Sequence, residues 1–172
     1  MRDATPGGAQ ATHREQVFGG VVLATRLNLR LGGADAVVEL AERDAPKTSK
    51  LLLSLLPVEE RARHAMESGR EVYVVLGESV DIPEENQTIY QTVGDVLMYY
   101  KPSVFIEPGW PEYANEKPVL SWVYERDTAI MGTYGPLATN VVGKIARGLD
   151  KLQAEAPRMR REGFGTMKLS RL

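Results

Sequence analysis

The chain has 172 residues, 43% of them hydrophobic, with 21 basic and 23 acidic side chains and a formal net charge of −2. That length and apolar content suit one domain with its own core, and the balanced charge excludes a general field for nucleic acid. Cysteine is absent, which excludes disulfides, thiolate metal sites and a cysteine nucleophile, and two histidines cannot build a histidine-rich metal site.

Residues 1–16, "MRDATPGGAQATHREQ", are polar and lack an apolar stretch of the secretory kind. They read as a flexible arm preceding a domain over 17–172, and the expected location is cytoplasmic. Apolar runs such as Leu51–Pro57 are too short to cross a bilayer, so no membrane partner is expected.

From Ala24 onward the chain alternates. Leu23, Thr25, Leu27, Leu29 and Leu31 share one face, and Arg26, Asn28 and Arg30 the other, which predicts a half-buried strand. Gly32-Gly33 signals a tight hairpin into a second strand near Ala36–Glu42. In "ERDAPKTSKLLLSLLP" the spacing predicts a helix. Asp44 is placed to accept from the free N–H groups of the first turn, Pro46 fits that turn, and Leu51, Leu52, Leu55 and Leu56 form a broad apolar face that must seal something hydrophobic. Pro57 ends it, and "PVEERARHAMESG" is expected to form another helix closed by Gly69.

Arg70–Gly77 reads as a buried strand, followed by a long irregular connection. Asp95–Pro102 and Ser103–Pro108 read as strands separated by Lys101-Pro102, and a second loop follows. "VLSWVYERDTAIMGTYG" supplies one long strand, or two with a bend near Asp127. A helix is expected from Thr139 or Asn140 to just before Pro157, with Val141, Ile145, Leu149 and Leu152 on one stripe; "FGTMKLSRL" then reads as a closing strand. About eight strands and two or three helices point to a mainly β fold, a closed antiparallel barrel whose open ends are capped by the helices.

"VELAERDAPKTSKLLLSLL" resembles the passage from second strand to first helix in cyclophilins, and "NVVGKIARGLDKL" resembles their second helix. "LLPVEERARHAMESGREVYV", "ENQTIYQTVGDVLMYYKP" and the late "YG…ATNV" are similar to small bacterial cyclophilin-like barrels, a group largely of unknown function. The similarity covers roughly residues 18–172 and is most specific over Glu85–Pro102. It implies a cyclophilin-like barrel and no particular activity. Cyclophilins place their catalytic arginine inside a Phe-His-Arg-Ile-type strand, whereas Arg70 stands at the start of "REVYVVLG", so no position inherits that role.

Several residues could carry chemistry. His64 could exchange a proton near neutrality, or simply satisfy backbone carbonyls. Asn86, in a long loop over a barrel mouth, could orient a carbonyl or amide. Tyr99, Tyr100, Glu107 and Trp110 cluster at strand ends, and an inward Glu107 would suit acid–base work. Trp122, Tyr124 and Arg126 share a face by the period of two, as a wall for a planar or anionic ligand or as core with a snorkelling arginine. Tyr134 precedes the helix expected near Asn140, whose free N–H groups favour an anion.

The leading expectation is a barrel mouth that binds a small polar or carbonyl-containing molecule. His64, Glu107 and Tyr99 are the catalytic candidates, with Asn86, Trp110, Trp122, Arg126, Tyr134 and Asn140 in contact with the ligand. The chemistry would be metal-free and cofactor-independent acid–base catalysis of the isomerase, lyase or hydrolase kind. A non-catalytic binding subunit and a divergent peptidyl-prolyl isomerase are the alternatives, and a homodimer through exposed edges is left open.

Overall fold

The computed structural model describes residues 24–77, 80–101, 117–132, 135–163 and 165–172. The expected arm at 1–16 and the expected strand Ser103–Pro108 lie outside the described residues. Strands β1 (Arg26–Leu31) and β2 (Ala34–Leu40) alternate as their sequence requires, with Leu27, Leu29 and Leu31 buried. Gly32 turns the hairpin at φ 55°, in the left-handed region that costs other residues roughly 1–2 kcal/mol.

Helix α1 (Pro46–Leu55) follows, with Pro46 in its first turn and Leu52 fully buried. Burying one such leucine contributes roughly 1.5–3 kcal/mol. The expected cap fails: Ala45 occupies the cap position without a side-chain hydrogen bond, and Asp44 is exposed.

The helix expected after Pro57 is instead strand β3 (Val58–His64). Glu, Arg and Ala favour helices, but Val58, Ala62 and His64 are buried at even spacing, and pairing on both flanks overrides propensity. Next come β4 (Glu71–Val75), the short β5 (Gln87–Thr88), β6 (Asp95–Lys101) and β7 (Lys117–Val123). The chain then bends through Asp127 at φ 62°, where a bend was expected, into the small hairpin of β8 (Met131–Gly132) and β9 (Gly135–Pro136).

The late helix is half strand. Thr139–Arg147 forms β10, and only Leu149–Glu162 is helical, as α2, with Pro157 inside it. Val141, Val142 and Ile145 are β-branched and suit a strand. The break comes at Gly148, at φ 78°, where a Cβ would meet the Asp35 carbonyl at 2.5 Å. Strand β11 (Gly165–Arg171) closes the chain as expected.

Around the barrel the order is β2-β1-β11-β3-β4-β7-β6-β10, and β10 pairs back onto β2, so eight antiparallel strands close without a free edge. Helix α1 follows β2 and α2 follows β10. Because β2 and β10 are antiparallel neighbours, the two helices stand at opposite ends of the barrel. Leu52 belongs to the core at one end, and Leu152, Ala156 and Met159 are buried at the other.

One wall is buried on both faces. Val72, Val74, Met98, Leu120 and Trp122 face inward, whereas Leu97, Tyr99, Val119 and Val123 face outward and are nonetheless buried. Ile130 and Leu137 pack over this outer surface, which explains why β6 and β7 read as continuous apolar runs.

Candidate functional site

At the α1 end, residues 80–88 fold back over the barrel and are tied down by polar side chains. The Tyr100 hydroxyl donates to the Val80 carbonyl and accepts from the Ile82 amide at 2.9 Å. Asn140, 1% exposed, donates through Nδ2 to Thr48 Oγ1 at 3.0 Å and to the Pro83 carbonyl, and its Oδ1 accepts from the Glu85 amide at 3.5 Å. Glu85 caps helix α1 from the loop, its Oε2 accepting from the Thr48 amide at 2.8 Å and the Thr48 hydroxyl at 3.1 Å. Asn86, at φ 46°, donates through Nδ2 to the Val141 carbonyl at 2.8 Å and pins the loop to β10.

Between this loop, β6 and residues 137–140 lies a cavity of about 260 Å³, bordered by Ile82, Met98, Tyr99, Tyr100, Leu137 and Asn140, with Glu84 and Gln87 also bordering it. Tyr100 and Asn140 are already engaged internally. Tyr99 is engaged with a carboxylate: its hydroxyl donates to Glu71 Oε1 at 2.7 Å, and both residues are buried, at 5% and 1% exposure. Tyr99 and Glu71 stand on the outer face, diagonally across Ser121 of β7. Burial first, then the neighbouring Glu71 carboxylate, push the Tyr99 phenol well above its usual range. Glu71 opens an otherwise apolar "EVYVV", and that charged residue in a doubly buried strand was the signal available in the sequence.

His64 lies at the other end. It sits at the end of β3, with Nδ1 2.6 Å from the Ala65 carbonyl and Nε2 2.6 Å from the Tyr124 hydroxyl. A carbonyl only accepts, so Nδ1 carries the proton and the neutral ring accepts from Tyr124 at Nε2. Burial holds the His64 imidazole below its usual pKa, with Arg160 and Arg70 acting in the same direction and the Ala65 hydrogen bond opposing them. Burial also raises the Tyr124 phenol, against an opposing hydrogen bond from Arg70.

The structure therefore separates the expected site residues. Asn86, Tyr99 and Asn140 gather near the loop end, while His64 stands at the α2 end. Trp122, 1% exposed, faces the interior between them, its ring 6.0 Å from that of Tyr124. Arg126 shares no strand face with Trp122, because β7 stops at Val123; its side chain is 90% exposed beside Asp127. Asn140 is the second residue of strand β10 and caps no helix. Glu107, Trp110 and Tyr134 lie outside the described residues. Among the described residues no group of three or more His, Asp or Glu is placed to hold a metal, and no helix is long and apolar enough to cross a membrane.

A closed antiparallel barrel, sealed by two helices and carrying a buried carboxylate–phenol pair of which Tyr99 borders a small cavity, is the class of protein defined here. Residues 27–171 match the model of DUF3830, a family of proteins of unknown function, and the chain belongs to that family. Among solved structures it is similar to McbB in complex with tryptophan, with TM-score 0.59 and 14% identity over 84% of this chain. The match spans only 44% of the McbB chain. It is also similar to the hypothetical protein AF2241 from Archaeoglobus fulgidus, with TM-score 0.54 and 24% identity over 90% of this chain and 100% of that one. No curated protein matches.

Proposed function

We propose that the barrel binds a small polar molecule in the loop-end cavity and that Tyr99 and Glu71 form the acid–base pair of that site. The observation that carries this reading is the 2.7 Å contact between Tyr99, a buried phenol residue that borders the cavity, and the buried Glu71 carboxylate behind it. Apolar walls with a few polar groups and a perturbed titratable residue are the usual signature of a small-molecule site. At about 260 Å³ the cavity falls below the roughly 300 Å³ at which drug-sized pockets begin, so the ligand is small.

The direction of the hydrogen bond restricts the chemistry. Tyr99 spends its proton on Glu71, so any further partner of its oxygen is a donor, as the Ser121 hydroxyl is and as a ligand hydroxyl, amine or amide N–H would be. Proton abstraction from that group would run onto the Tyr99 oxygen while the Tyr99 proton passes to the Glu71 carboxylate that already accepts from it. A metal-free isomerase, lyase or hydrolase acting on a small carbonyl compound fits such a relay. McbB, of similar fold, was solved with an amino acid bound, which supports a small ligand of this kind. The cyclophilin-like resemblance belongs to the same proposal: a helix follows the second strand as it implies, although most of the segment likened to the second helix is strand β10 and the helix begins only at Leu149.

The test is a binding screen by protein NMR with small hydroxy, amino and amido carbonyl compounds. Hits should perturb Met98, Tyr99 and Leu137, and Tyr99→Phe should weaken them about tenfold or more, a loss of roughly 1.4 kcal/mol. Hits that Tyr99→Phe binds equally well would remove Tyr99 from the site.

A further inference from the structure

The α2 end of the barrel carries a second cleft, of about 710 Å³, bordered by Arg70, Arg126, Arg160, Glu125, Asp127 and Gln153 among others. Its polar border is three guanidinium groups against two carboxylates. Arg70 pairs with Glu125 at 3.1 Å and Arg126 with Asp127 at 3.6 Å, all four side chains being substantially exposed, and exposed pairs of this sort contribute little. Arg160, in the last turn of α2, makes no ion pair among the described residues.

Behind this border is the buried His64–Tyr124 pair. Gln153 donates to the Tyr124 carbonyl at 2.8 Å, and Arg70 reaches the Tyr124 hydroxyl. The cleft thus has a rigid polar floor and a cationic rim with one guanidinium uncommitted. We propose that it is a binding site for a small oxyanion, held between Arg70 and Arg160 at the end of the barrel opposite the Tyr99 cavity. The carbonyl end of α2 opposes an anion with about half an elementary charge, which the net charge of one guanidinium left by three arginines against two carboxylates outweighs. Guanidinium forks match the oxygens of phosphate and carboxylate alike.

His64 supplies the readout. Arg160 and Arg70 both act against its protonated form, so an anion seated between them should offset that effect and raise its pKa. The experiment follows the His64 ring signals of the full chain through a pH titration, alone and with millimolar inorganic phosphate or malonate at constant ionic strength set with chloride. Expected is a saturable shift of the His64 titration to higher pH. Arg160→Gln should weaken binding about tenfold, near 1.4 kcal/mol, whereas Arg161→Gln, one residue along the same exposed turn, should not. Tighter binding of phosphate would mark a phosphate ligand, and tighter binding of malonate a carboxylate. No saturation by either anion, or equal effects of the two arginine variants, would overturn the proposal. Neither result bears on Tyr99, so the two sites stand or fall separately.

Discussion

Glu85 caps the helix that begins at Pro46 from a loop far along the chain, 37 residues beyond Thr48, its carboxylate accepting from the Thr48 amide at 2.8 Å and the Thr48 hydroxyl at 3.1 Å. A carboxylate at this position satisfies a free N–H and opposes the positive end of the helix dipole. It also anchors the loop that borders the Tyr99 cavity, so helix, loop and cavity share one contact.

Glu85→Ala should therefore cost about 1–2 kcal/mol, the usual worth of a helix cap. In thermal melts that corresponds to a drop of roughly 2–8 °C for a domain of this size. Asp44→Ala, at the position favoured by sequence pattern, should leave the melting point nearly unchanged. A larger loss for Asp44→Ala than for Glu85→Ala would show the cap to be local after all.

Much of the barrel was legible because its signals are local. Leu27, Leu29 and Leu31 alternate, Gly32 turns the hairpin, and Pro46 opens a helix whose leucines seal the core. The misreadings share one physical cause: the deciding interactions are distant in sequence. Val58–His64 is a strand because β11 and β4 flank it, and Thr139–Arg147 because β2 and β6 do, against local patterns of helical type. Tyr99 was legible as a candidate from its place at a strand end. Glu71 stood out only as a charge at the head of an apolar strand; its pairing with Tyr99 was not legible, since only the fold brings β4 and β6 to the two sides of Ser121.

The pairing of Tyr99 with Glu71 has a measurable worth. Tyr99→Phe leaves a buried carboxylate one donor short, a loss of about 1–3 kcal/mol. Combined with Glu71→Gln in a double-mutant cycle from urea denaturation, the two changes should be non-additive by roughly 0.5–3 kcal/mol. Strict additivity would mean that the two groups do not depend on each other.

Gly143 marks the seam where the barrel closes. A Cβ there would lie 2.7 Å from the Glu39 carbonyl and 3.1 Å from Val38 Cγ1, on the strand that β10 must reach to complete the ring. Gly143→Ala should destabilise the fold by about 1–3 kcal/mol, as overpacking does. Amide exchange should accelerate first in Val37–Leu40 and Gly143–Ile145. Uniform acceleration over all eight strands would instead mean that the seam has no separate weakness.

His64 makes stability depend on pH with a definite sign. Its folded-state pKa is depressed, mainly by burial, so between that value and about 6.5, the ordinary histidine value, the unfolded chain binds more protons than the folded one. Stability is then complete above the unfolded pKa and falls as pH drops through the folded pKa. Urea midpoints should decline from pH 7.5 to pH 5.5 in the wild type. His64→Gln, which keeps a donor and an acceptor but cannot titrate there, should flatten that part of the profile, the exposed carboxylates contributing equally to both proteins. If both profiles fall in parallel, the imidazole gains its proton as easily inside the barrel as outside, and burial does not set its charge state.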